Sequence, residues 1–194
     1  MGHPALELKT STHLHTVLAP NNEPWQVGLK DPAVSVMTDF RVRALFKVEM
    51  EDTIDEALHK MKIAGLRIAF VLDKESDKLL GMITSYDIMG EKPMRYLQSV
   101  GFQSVGFADR GVTRKDIRVK DIIDSIDDWV VAELHDVEQV NVKAVLEALQ
   151  KSGRTHLPVL EHNPGETPRL RGLFSSAKIL RLTEFARLRQ ANKA

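Results

Sequence analysis

The chain has 194 residues, of which 43% are hydrophobic and 28% charged, enough to bury the core of one or two domains. Lysine plus arginine and aspartate plus glutamate both number 27, so the formal net charge is zero, which disfavours a nucleic-acid partner. The absence of cysteine excludes disulfides, thiolate zinc sites and cysteine nucleophiles. No apolar run approaches the roughly 18 residues of a membrane helix, and the first residues lack the pattern of a signal peptide. We therefore expect a cytoplasmic protein that does not span a membrane.

Residues 1–30 form a turn-rich stretch, with prolines and asparagines between positions 20 and 24, and are expected to be an arm. The repeats that follow account for the core, so we expect deletion of residues 1–28 to leave the fold intact. His13 and His15 have the spacing of metal ligands. No third ligand accompanies them in the sequence pattern, so no metal site is predicted.

A first set of elements lies within residues 31–90. Thr53 and Glu56 have the spacing of a capping box, which predicts a helix that begins there and ends at Gly65. The apolar runs from Ile68 to Leu72 and from Leu79 to Thr84 predict two strands joined by a polar turn. A second helix is predicted directly after the second strand.

The same order of elements returns within residues 118–194. Asn141 is a predicted helix cap, and Gly153 marks the end of that helix. Two strands and a final helix are predicted over residues 157–160, 170–174 and 176–191. Residues 91–117 form an unusually long connector between the two sets, with a short helix predicted from Pro93 to Val100.

The two sets of elements are an internal repeat. The stretch that begins at Val34 is similar to the one that begins at Val119, an offset of 85 residues. The offset is 88 residues between Gly65 and Gly153, and 91 between Gly81 and Gly172, so it grows only across loops. Neither copy can bury its apolar faces alone, which predicts that the two pack face to face.

The segments "VSVMT", "DTIDEALHKM", "IAFVLD" and "LLGMITSYDIM" of the first copy resemble the CBS domain, named after cystathionine β-synthase. The second copy resembles it more weakly, through "SGRTHLPVL" and "GLFSSAKIL". The resemblance to a tandem pair, or Bateman module, implies an α+β fold of two β-α-β-β-α repeats packed with pseudo-twofold symmetry. It also implies a non-catalytic regulatory module that binds AMP, ADP, ATP or S-adenosylmethionine between the repeats, forms a homodimer and signals to an effector protein that the sequence does not identify.

The resemblance also implies which residues bind the ligand. Thr84 and Asp87 match the Ser/Thr-x-x-Asp turn that holds the ribose and phosphate of the ligand. Thr155 and His156 of the other copy are expected to flank the base. Arg67 occupies the place where family members often have a basic residue in contact with a phosphate.

The second copy departs from this pattern, because Lys178 stands where the ribose-binding carboxylate is expected, after Ser175. Simpler interpretations remain open beside the binding site. Thr84 and Asp87 have the residue types of a plain helix cap, and Arg67 and His156 are compatible with solvated edge positions. No arrangement of residues typical of a catalytic site is present, and the alternative function is a ligand-free dimerisation scaffold with a degenerate cleft.

Overall fold

The computed structural model describes residues 27–103 and 111–191. Within them lie eight strands and seven α-helices, with three short 3-10 turns at residues 33–36, 114–116 and 126–128. The strands are β1 (Thr38–Asp39), β2 (Lys47–Val48), β3 (Ile68–Leu72), β4 (Leu79–Thr84), β5 (Asp124–Ser125), β6 (Ala132–Glu133), β7 (His156–Glu161) and β8 (Arg169–Ser175). The helices are α1 (Ile54–Ala64), α2 (Ser85–Met89), α3 (Lys92–Gln103), α4 (Val119–Ile122), α5 (Leu134–Val137), α6 (Val142–Ser152) and α7 (Ser176–Ala191).

The strands form two four-stranded sheets of the same topology, in the orders β2-β3-β4-β5 and β6-β7-β8-β1. In each sheet a parallel edge strand pairs with a central antiparallel hairpin, and an antiparallel strand of two residues covers the other edge. The covering strand is exchanged between the halves of the chain. The strand β1, which comes before β2 in the sequence, joins the sheet of the second repeat, and β5, which follows the connector, joins the sheet of the first. The tandem α+β fold with a pseudo-twofold relation between repeats is therefore confirmed.

Local sequence signals begin and end the two long repeat helices as predicted. Thr53 accepts a hydrogen bond from the amide of Glu56, whose carboxylate accepts one from the amide of Thr53. The side chain of Asn141 caps α6 in the same place. Gly65 and Gly153 follow the two helices with φ values of 67° and 66°, a left-handed conformation that favours glycine.

The apolar core consists of one cluster within each repeat and a third between the sheets. The third cluster combines Phe70 and Met82 of the first sheet with Leu173 of the second. Phe40 and Trp129 pack edge-on against Phe70, with ring centroids at 5.3 and 6.3 Å. This shared core fixes the position of one sheet against the other, and the candidate site lies at its margin.

Two glycines allow the exchanged strands to approach closely. A Cβ atom on Gly81 would collide with the main-chain oxygen of Asp124 in β5. The equivalent Gly172 lies against β1, where a Cβ atom would be 2.8 Å from the main-chain oxygen of Thr38. Both copies of the repeat therefore require glycine at this position.

A buried ion pair also joins β1 to β8. Arg171, only 5% exposed, donates to the carboxylate of Asp39 and has Glu161 within 3.6 Å. Burial alone would raise the pKa of Asp39, but the hydrogen bond from the Arg41 amide and the charge of Arg171 hold it below its ordinary value. Asp39 is consequently ionised where the two halves of the chain meet.

The segment around Val34, assigned from sequence to the first copy, packs in the structure with the second repeat. Val36 lies in the core cluster of that repeat together with Val27, which is 1% exposed. Leu29 accepts a hydrogen bond from the amide of Lys143. The expectation that the repeats alone account for the core is therefore wrong, because Val27 belongs to it. That the fold tolerates deletion of residues 1–28 stays a prediction. Residues 1–26 lie outside the described part of the chain, and the division into arm, repeats and connector stays a prediction.

The predicted connector helix is confirmed as α3, which is longer than the sequence indicated. Residues 104–110 of the connector lie outside the described residues. Across residues 27–103 and 111–191, no helix has the length and apolar composition needed to cross a membrane.

Candidate functional site

A cleft of about 420 Å³ opens between the two repeats at the end of β4, a volume within the usual range of small-molecule sites. The first repeat contributes β4 and α2, the connector contributes the start of α3, and the second repeat contributes β5 and the turn before β7. The residues that line the cleft are Met82, Thr84, Tyr86, Asp87, Glu91, Lys92, Arg95, Asp124, Gly153, Arg154, Thr155 and His156.

The structure brings together four of the five predicted binding residues, Thr84, Asp87, Thr155 and His156. The lining does not include Arg67. Its main-chain oxygen accepts a hydrogen bond from the amide of Ser85, so it lies beside the start of α2, but its side chain is exposed. The predicted phosphate contact of Arg67 stays a prediction.

Thr84 and Asp87 form a complete capping box at the start of α2. The Thr84 hydroxyl accepts from the Asp87 amide at 3.1 Å and donates to Asp87 Oδ2 at 2.7 Å. The same Oδ2 accepts from the Thr84 amide at 2.8 Å. The cap interpretation is thus confirmed, and it leaves Oδ1 of Asp87 free of the box while both side chains line the cleft.

Lys92, the first residue of α3, binds that remaining oxygen. Its Nζ lies 2.8 Å from Asp87 Oδ1 and 3.4 Å from the main-chain oxygen of Ile122, at the end of α4. The Lys92 and Asp87 side chains are 39% and 18% exposed, so the pair is partly shielded from solvent. Sequence reasoning missed Lys92 because it falls in the connector.

Two further ion pairs line the cleft, and sequence reasoning missed these as well. Arg154 Nη1 lies 3.3 Å from Asp124 Oδ1, and its Nη2 donates to the main-chain oxygen of Asp128. Arg95 donates to Glu91 at 2.7 Å on the outer wall. A signal for Arg154 was present in the sequence, since it directly precedes the predicted Thr155.

His156 begins β7 on the second-repeat wall of the cleft. Burial lowers the pKa of His156 below its ordinary value of 6.5, an effect that the negative charges of Asp87 and Asp124 oppose. The imidazole is therefore neutral at pH 7. Its Nδ1 is 3.0 Å from the Thr155 hydroxyl, so these neighbours form one neutral hydrogen-bonding group at the cleft.

The corresponding positions of the other half carry different charges. Lys178 takes the place of Asp87, and its Nζ donates at 3.3 Å to Thr38, the pairing equivalent of Asp124. Burial, with the charges of Arg43 and Arg181, lowers the pKa of Lys178. Lys178 therefore lies near two other cations, and it occupies the position that Asp87 has in the first half.

Within residues 27–103 and 111–191, no three His, Asp or Glu side chains are placed to hold a metal ion. His13 and His15 lie outside these residues. The described lining of the cleft contains three carboxylates, hydroxyls, a neutral imidazole and three cations.

Two repeats of one topology that share a cleft at the ends of their central strands define a tandem module with a site between its copies. Residues 34–93 match the family model of the CBS domain. The first repeat matches the CBS domain and the second repeats its topology, so the resemblance to a CBS pair is confirmed.

Several solved structures are similar to this chain at low sequence identity. An uncharacterized conserved protein from Pyrococcus horikoshii is 18% identical over 79% of this chain and 92% of its own, with a TM-score of 0.49. The CBS-pair protein CBSX2 from Arabidopsis thaliana is 20% identical over 87% of this chain and 100% of its own, with a TM-score of 0.45.

The CBS domain of a bacterial CNNM/CorC family Mg²⁺ transporter, solved in complex with ATP, is 14% identical over 79% of this chain and 88% of its own, with a TM-score of 0.48. Likenesses of this size carry no ligand, activity or partner over to this chain. No curated protein sequence matches the chain significantly.

Proposed function

We propose that the chain is a non-catalytic regulatory module that binds an adenine nucleotide or adenosyl ligand between its CBS repeats and signals to a partner protein. The observation that supports it is the meeting of Thr84 and Asp87 of one repeat with Thr155 and His156 of the other in one cleft. These are residue types that the family resemblance assigns to the ligand, and they come from separate repeats. AMP, ADP, ATP and S-adenosylmethionine are the candidate ligands.

In the proposed complex, Asp87 accepts hydrogen bonds from the ribose hydroxyls, a charge-assisted pairing. The base lies against Met82, with the neutral pair of Thr155 and His156 at its edge. Lys92, 2.8 Å from Asp87, is the cation next to the proposed ribose acceptor and is the candidate partner of a phosphate. The cleft therefore offers a partner for the base, the sugar and the anionic group.

Because both repeats and the connector form its walls, a ligand in this cleft contacts three parts of the chain at once. A ligand shifts an equilibrium between two packing arrangements only if it binds them with different affinity. A ligand that bridges α2, α3 and the turn before β7 meets that condition, since any movement of one repeat changes its contacts. The partner protein is proposed to recognise this change.

Calorimetry with AMP, ADP, ATP and S-adenosylmethionine tests the proposal. We expect one ligand per chain, because Lys178 replaces the ribose acceptor in the second half. A thermal-shift screen with the same four compounds should raise the melting temperature for those that bind. Failure of all four to bind would contradict the proposal and favour the ligand-free scaffold.

We also propose that the chain forms a homodimer through the outer faces of α2 and α7. Tyr86 and Met89 on α2 are 69% and 61% exposed, and Leu180 and Phe185 on α7 are 56% and 51% exposed. Large apolar side chains grouped on helix faces are typical of protein interfaces. Light scattering at micromolar concentration should give twice the mass of the chain, whereas a monomer would contradict this part of the proposal. A cytoplasmic location stays a prediction.

A further inference from the structure

The carboxylate of Asp87, the proposed ribose acceptor, already has three donors within the chain. Asp87 Oδ2 accepts two hydrogen bonds from Thr84, at 2.7 and 2.8 Å, and Oδ1 is bound by Lys92 Nζ at 2.8 Å. An ionised carboxylate offers about four acceptor positions. One remains, but a ribose presents two hydroxyl groups. Lys92 must therefore leave Asp87 before both hydroxyls can bind.

A displaced Lys92 finds no replacement carboxylate within the cleft lining. The lining contains two other carboxylates, and each already has a cation, Arg95 on Glu91 at 2.7 Å and Arg154 on Asp124 at 3.3 Å. The contact of Lys92 with the Ile122 carbonyl is long, at 3.4 Å, and carries no charge. The ammonium group therefore loses its counter-charge unless the incoming ligand supplies an anion.

We infer that Lys92 makes this cleft selective for ribonucleotides that carry a phosphate, and against both unphosphorylated nucleosides and S-adenosylmethionine. The inference rests on the proposed function. A phosphate replaces Asp87 as the anionic partner of Lys92. Asp87 can then accept hydrogen bonds from both ribose hydroxyls. Adenosine has no anion to offer, and the sulfonium group of S-adenosylmethionine adds a positive charge. Lys92 thus determines the specificity of the site without contacting the base.

Calorimetry with adenosine, AMP and S-adenosylmethionine at one ionic strength tests this inference. The wild type should bind AMP at least tenfold more tightly than adenosine, about the value of one charge-assisted hydrogen bond. In Lys92→Met, adenosine should bind more tightly and AMP more weakly, so the ratio of the affinities for AMP and adenosine should fall by about tenfold. Lys92→Gln, which keeps a donor for the Ile122 carbonyl, should also reduce this ratio of affinities. It replaces Lys92→Met in the experiment if that variant proves unstable.

Lys60→Met is the matched control, because Lys60 pairs with Asp52 at 2.7 Å with similar exposure but does not line the cleft. It should leave the ratio of the affinities for AMP and adenosine nearly unchanged. An equal ratio in the wild type and both Lys92 variants, or an equal reduction of the ratio in Lys60→Met, would overturn the inference while leaving the proposed function intact. Binding of S-adenosylmethionine alone would likewise overturn only the inference, whereas failure of the wild type to bind any of the four compounds would overturn the proposed function, and this inference with it.

Discussion

Replacing Asp87 separates the two roles that the structure gives this residue. The carboxylate caps α2 through the Thr84 amide and hydroxyl, and it is the proposed ribose acceptor. Asp87→Ala removes both roles, whereas Asp87→Asn keeps a side-chain oxygen for the cap and loses the charge. Comparing the two variants therefore shows how much of any loss of binding comes from the cap alone.

The expected magnitude follows from the contacts. Loss of a charge-assisted hydrogen bond costs about 1.5 to 3 kcal/mol, or roughly ten- to hundredfold in affinity. Lys92 loses its partner in the same substitution and becomes available to a phosphate. The affinity for AMP should therefore fall by only about tenfold, at the lower end of this range. Loss of the cap should lower the free energy of unfolding of Asp87→Ala by about 1 kcal/mol, with a smaller loss in Asp87→Asn.

Calorimetry with AMP and thermal unfolding without ligand measure these two effects independently. Lys178→Ala is the matched control, because Lys178 occupies the position of Asp87 in the second half, and it should leave AMP binding nearly unchanged. Wild-type affinity in both Asp87 variants would refute the assignment. Loss of AMP binding in Lys178→Ala with retention in the Asp87 variants would place the ligand in the other half of the molecule.

Three further predictions concern stability. Gly172→Ala should destabilise the fold by about 1 to 3 kcal/mol in denaturant unfolding, through collision with β1, whereas Gly101→Ala, in open space on α3, should cause no loss. A chain that begins at residue 29 should melt at a lower temperature than one that begins at residue 27, because it lacks the buried Val27; equal melting temperatures would contradict this. The lowered pKa of Asp39 means that its stabilising effect is present above its ordinary pKa and lost as pH falls through the lower folded value. Asp39→Asn should therefore be less stable than the wild type at pH 7, and the difference should shrink below about pH 4; a difference independent of pH would refute the role of the charge.

Local signals in the sequence were sufficient for the helices and for part of the site. The capping boxes at Thr53 and Thr84 join residues three positions apart, so the hydrogen bonds that form them are visible in the sequence itself. The glycines that end α1 and α6 act through their own backbone conformation. Asp87 was found in the same way, because its spacing from Thr84 is both the cap pattern and the family pattern.

Contacts between distant parts of the chain could not be predicted in this way. The strands β1 and β5 have only two residues each, too few to show an alternation of apolar side chains, and each joins the sheet of the other half. The bonds of Lys92 to Ile122 and of Arg154 to Asp124 each span 30 residues. Both become visible only after β5 is placed beside β4, so the ion pairs of the cleft depend on a strand exchange that the sequence does not indicate.

The two halves share a topology but differ in charge, and this difference explains why a symmetric fold gives an asymmetric site. At the position after the hairpin, one half has Asp87 and the other has Lys178; on the neighbouring exchanged strand, Asp124 is matched by Thr38. In the first half each carboxylate holds a cation that an anionic ligand can take over. In the second half the lysine bonds only to a neutral hydroxyl among its described contacts and lies near two arginines. The proposed ribose acceptor therefore has no counterpart at the matching position of the second half, which retains the strand geometry of the repeat but has a lysine in place of the carboxylate.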